Sequence, residues 1–199
     1  MIYDIRSISD RAKGVAPGAV TPDEIEFARN ILRTRSGDIY TAIYVVGLLG
    51  NKRDGKLVES FIFGDENNLY AEVALKALCR YMGLIEQYRS VLRQLVIQPP
   101  DESGMRRMTA IHLMKEYFQD YKDNELGCYL VKILCDLDDR HRLSARDALA
   151  DILDLRSSLK DPHGLEFDEW DEDTSLLVKA AKNAFHCKDV IVSPKSQIH

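Results

Sequence analysis

Long apolar runs are missing from this chain of 199 residues. None approaches the roughly 20 residues that a helix needs to cross a bilayer. The opening MIYDIRSISDRAKG mixes charged with apolar residues and lacks the apolar core of a secretory signal. Glycine and proline number only 11 and 6, too few for a fibrous or disordered chain. Cysteine is limited to Cys79, Cys128, Cys135 and Cys187, with no CxxC pair. Each sits in a helical context, which reads as four free thiols in a reducing cytoplasm. Strand signals are nearly absent as well. VIVS at 190–193 is the only β-branched run, too short and too terminal to build a sheet around.

Chemistry-bearing motifs are also missing. There is no phosphate-cradling loop after a strand, no dinucleotide-binding glycine fingerprint, no nucleophile elbow and no paired active-site carboxylates. His112, His141, His163, His186 and His199 are scattered without tetrahedral-site spacing, and DLDDRH (136–141) breaks a calcium-loop pattern at Arg140. A non-catalytic protein without cofactor or metal is therefore the expectation.

What is present is helical periodicity. TPDEIEFARNILRTR starts at Thr21 as N-cap, with Pro22 at the first helical position and Glu24 completing a capping box. Ile25, Ala28, Ile31 and Leu32 mark one apolar face, and Gly37 ends the segment. From residue 38 onward, helical segments come in pairs: 38–50 with 54–64, 68–83 with 85–97, 105–118 with 124–137, and 142–155 with 172–185. The later first members carry the central alanines Ala74, Ala110 and Ala148. These recur at a helical-hairpin period, and a small residue there lets two helices approach closely.

Over roughly residues 38–186 this pattern resembles HEAT-type repeats of the armadillo-like class. The resemblance implies an all-α, right-handed α-solenoid of about four hairpins with an N-terminal helix. The expected organisation is an irregular leader at 1–20, a single repeat domain at 21–186 and a tail at 187–199. The family's usual Asp followed by Arg or Lys survives only in fragments such as RDGK (53–56) and RRM (106–108).

The feature least explained by folding alone is HGLEFDEWDED (163–173). Between Asp161 and Asp173 lie seven carboxylates, no Lys or Arg, and the chain's single tryptophan. The net charge is −5 while this stretch carries −7, so the acidity is local. Asp171 or Asp173 would cap the last helix, and acids in a first turn suit the helix dipole. That accounts for two or three acids. An aromatic ringed by carboxylates is also a hot-spot layout, with Trp supplying buried area and the acids supplying steering. The candidate partner-binding residues are thus Glu166, Asp168, Glu169, Trp170, Asp171, Glu172 and Asp173. The partner they suit is a protein with a basic surface patch, such as a nuclease-type toxin domain neutralised by an acidic immunity protein.

Arg80, Arg89, Arg93, Arg106 and Arg107 offer a rival basic ridge, but a pI near 5.6 weighs against a nucleic-acid partner. GNKRDGK (50–56) reads as a charged hairpin turn. The alternative class is an enzyme or accessory, since helical-repeat proteins resembling this one include DNA glycosylases and cofactor lyases. A glycosylase would need a basic groove with aromatic interleaving and a catalytic Asp.

Overall fold

The Thr21 hydroxyl accepts from the Glu24 N–H, and the Glu24 carboxylate accepts from the Thr21 N–H, so the capping box is formed and helix α2 (Pro22–Thr34) begins there. It stops at Arg35, whose φ of 50° is left-handed. The structure, a computed structural model, describes residues 3–63, 69–99, 104–165 and 172–187. Those residues form an all-α protein without a strand, and none of their helices is long and apolar enough to cross a membrane.

The chain splits into two units, Met1–Ser90 with Pro100–Thr109 and Val91–Pro99 with Ala110–His199. In the first unit, α3 (Ile39–Leu49) is apolar nearly all round, as a helix must be if neighbours cover it on every side. It packs against α1 (Ile5–Ala12), α2, α4 (Gly55–Glu59), α5 (Ala71–Lys76) and the π turn Ala77–Tyr81 that continues α5. Gly47 permits a close approach of α3 to the π turn: a Cβ there would lie 2.7 Å from that of Ala77. Ala74 is fully buried in the same unit.

Helix α1 corrects the expectation of an irregular leader. Asp4 caps it, Ile5 and Ile8 are buried, and Ile8 is 1% exposed. Only two apolar side chains are needed because α3 supplies the rest of the contact, and two are too few to register as a period.

Helix α6 (Ile85–Ile97) and α7 (Met105–His112) each contribute residues to both units. The second unit contains α8 (Met114–Asp120), α9 (Asn124–Cys135), α10 (Arg142–Ile152) and α11 (Glu172–Phe185). The single helix expected over 105–118 is interrupted at Leu113. Helices α9 and α10 form the centre of this unit; α9 packs against α10 and α11, and α10 also meets α8.

Where α9 and α11 meet, Cys128 and Cys187 form a disulfide. Two of the four cysteines are therefore not free thiols, and the sequence-based case for a reducing compartment loses its basis. The pairing is invisible in the sequence because 59 positions separate the partners and only helix packing brings them together. Cys79 and Cys135 lie outside any disulfide. The VIVS run lies outside the described residues.

Candidate functional site

Helix α11 starts at Glu172, and its first two residues meet opposite environments. Successive helical residues point about 100° apart, so one faces water when the next faces the unit's interior. Glu172 is exposed and pairs with Lys160 at 2.5 Å. Asp173 is 4% exposed. Its carboxylate accepts from the Arg146 guanidinium at 3.0 Å and from the Lys160 and Asp161 backbone N–H groups, both at 2.8 Å. Arg146, on α10, is fully buried and also donates to the Asp161 carbonyl at 2.6 Å. Asp173 therefore cannot belong to an exposed docking face. Its charge is committed to Arg146, and its capping capacity to backbone thirteen residues upstream.

The loop after α10 is tied down a second time. Arg156 donates to Asp151 at 2.7 Å, to the Asp147 carboxylate at 3.2 Å, and to the Pro162 carbonyl at 2.7 Å. Its guanidinium is held above its ordinary pKa, foremost by the Asp151 hydrogen bond. Leu159 is buried beneath this loop. By Leu165 the chain is back in water, with that side chain 85% exposed. The predicted residues Glu166, Asp168, Glu169, Trp170 and Asp171 lie outside the described residues. The positions on either side of them, Leu165 and Glu172, are both at the surface.

Other candidates are reduced by their partners. Arg93 is engaged by Asp123 at 3.2 Å and by Glu125, and Arg107 is buried, which removes both from a solvated basic ridge. Among the described residues, no group of three or more His, Cys, Asp or Glu side chains could hold a metal ion.

Sequence reasoning missed a feature of the first unit. The 3-10 turn Lys52–Asp54 and α4 border an open cleft of about 560 Å³, lined also by Gln87 and Tyr88 of α6. The one acid within the turn, Asp54, faces away from the role of local counter-ion. Arg29 grips it through two hydrogen bonds of 2.9 Å, and its Oδ2 also accepts from the Asn51 N–H. Lys52, Arg53 and Lys56 are exposed and have no ion-pair partner among the described residues. In the sequence GNKRDGK, Asp54 stands among three cations. Only the contact with Arg29, 25 positions away, shows that it neutralises a different cation.

No family model, no curated protein and no solved structure matches this chain.

Proposed function

We propose that the chain is a non-catalytic helical-repeat protein, of the right-handed α-solenoid kind, that binds a partner protein carrying a basic surface patch. The docking segment is Glu166–Glu172. One observation carries this reading: the buried Arg146–Asp173 pair, with the Lys160 and Asp161 N–H groups, clamps the beginning of the acidic stretch to its end. The clamp consumes one of the seven acids and leaves five, Glu166, Asp168, Glu169, Asp171 and Glu172, in a segment whose two flanks are at the surface. Clustered like charges repel and cost stability, a cost that a complementary partner offsets. Trp170, the only tryptophan, supplies the apolar anchor in that segment. In its sharper form the partner is a nuclease-type toxin whose basic active site the acidic segment covers.

The test is affinity capture from the host's lysate with the wild type beside two variants. One carries Asp168→Asn, Glu169→Gln, Asp171→Asn and Glu172→Gln; the other is Trp170→Ala. Asp173 is left intact because it holds Arg146. A basic protein retained by the wild type and lost from both variants, at equal helicity by circular dichroism, supports the reading. Assaying that protein for nuclease activity, with and without the chain, decides the sharper form. Identical capture by all three forms overturns both.

A further inference from the structure

Five cations of the first unit are matched to acids, while Lys13 and Arg35 lie over the Tyr44 and Phe61 rings. Arg6 pairs with Asp38, Arg11 with Glu24, Arg29 with Asp54, Arg33 with Glu26 and Lys76 with Glu72. Lys52, Arg53 and Lys56 have neither an acid nor a ring as partner among the described residues, and all three border the same cleft. Against them the lining sets a single carboxylate, Glu59. The local balance is thus two positive charges, close to the charge of about −1.5 to −2 that a phosphomonoester carries at neutral pH.

Tyr88 adds an independent observation. It is 5% exposed, lines the cleft, and its hydroxyl makes no hydrogen bond to any described residue. Its ring is buried, but its hydroxyl is not among the side-chain oxygens cut off from solvent without a partner, so it opens onto the cleft as a donor for something that enters it. Burial, and then the neighbouring Glu59, push its pKa up to about 12, so it stays a donor at neutral pH. The cleft is also far larger than a bare phosphate, and about 560 Å³ falls among ordinary small-molecule pockets.

We infer that this cleft binds a small soluble phosphomonoester with a hydroxyl-bearing body, of the sugar-phosphate or nucleotide class. Lys52, Arg53 and Lys56 hold the phosphate through charge-assisted hydrogen bonds. Tyr88 and Gln87 supply hydrogen bonds to the ligand, and Glu59 accepts from hydroxyls of its body. This inference does not depend on the role of the acidic segment.

The experiment follows backbone amide NMR spectra of the full chain during titration with adenosine monophosphate, glucose phosphate and inorganic phosphate. A parallel arm uses vesicles bearing phosphorylated inositol headgroups. The expected result is saturable shifts around residues 51–59 and 85–89 with at least one of the two phosphomonoesters, and weaker binding of inorganic phosphate. Changing Lys52, Arg53 and Lys56 together to Gln, all at exposed positions, weakens binding at least about tenfold, as loss of charge-assisted bonds requires. Tyr88→Phe weakens it roughly fivefold at unchanged thermal stability, since its hydroxyl serves no internal bond. Absence of saturable shifts, equal binding by the triple variant, or binding to the vesicles alone each overturns the inference.

Discussion

Replacing Asp173 with alanine removes the carboxylate that faces a guanidinium with 0% side-chain exposure. Arg146 is then left buried without this counter-ion. Breaking a buried pair by deleting one partner costs about 3–5 kcal/mol. The Lys160 and Asp161 N–H groups lose their acceptor as well, but they are only part-buried and water replaces it. For a chain of this length each kcal/mol moves the melting temperature by roughly 2–4 °C, so a fall of about 6–20 °C is expected. Urea unfolding followed by circular dichroism gives the same quantity isothermally. Arg146→Met combined with Asp173→Asn removes both charges and keeps an acceptor for the backbone, and costs less than the Asp173→Ala change alone. A cost below about 1 kcal/mol for Asp173→Ala is out of range for a buried pair, and would show that Asp173 does not hold Arg146.

Thiol titration of the unreduced, denatured chain should find two reactive thiols, those of Cys79 and Cys135, because Cys128 and Cys187 are paired; four reactive thiols would contradict the pairing. Cys187→Ser opens a loop spanning 59 positions, and chain entropy assigns such a cross-link about 4 kcal/mol, read as a lower urea midpoint. Glu24 is held at a pKa of about 2, foremost by its hydrogen bonds with Arg11 and then by the Thr21 N–H. Its folded value lies below the ordinary 4.5, so the stability it lends is full above that value and is lost as pH falls toward 2. The urea-midpoint difference between wild type and Glu24→Gln should therefore shrink across that window; a constant difference would contradict the assignment. A Cβ on Gly127 would lie 2.4–2.6 Å from the Phe185 ring, so Gly127→Ala should destabilise by about 1–3 kcal/mol despite the better helix propensity of alanine. A melting temperature at or above that of the wild type would show that the ring shifts freely.

Segments with strong periodicity or paired start signals were the legible ones. The Thr21–Glu24 capping box and the apolar run 39–49 fall where the sequence placed helices, and so do α6, α9 and α11. These depend on neighbours within one or two turns. Features set by distant contacts were not legible. Helix α1 needs α3 to cover its two isoleucines, and the Cys128–Cys187 pair needs α9 to lie beside α11. The split of Glu172 from Asp173 was hidden for the same reason. Both looked alike as acids in a first turn, and only Arg146, 27 positions earlier, draws one of them inward. In the basic turn, Asp54 adjoins Arg53 in sequence but pairs with Arg29 of α2.

Electrostatic docking makes one quantitative demand on the acidic segment. Exposed charges more than a Debye length apart, about 10 Å at 0.1 M salt, are largely screened, so steered association slows as salt rises. The deciding measurement is the association rate of the captured partner, by stopped flow, from low to high ionic strength, for the wild type and the variant neutralised at Asp168, Glu169, Asp171 and Glu172. The account predicts a wild-type rate at least about tenfold higher at low salt and a nearly flat profile for the variant. Superimposable salt profiles for the two proteins would contradict it and place the docking surface elsewhere on the chain.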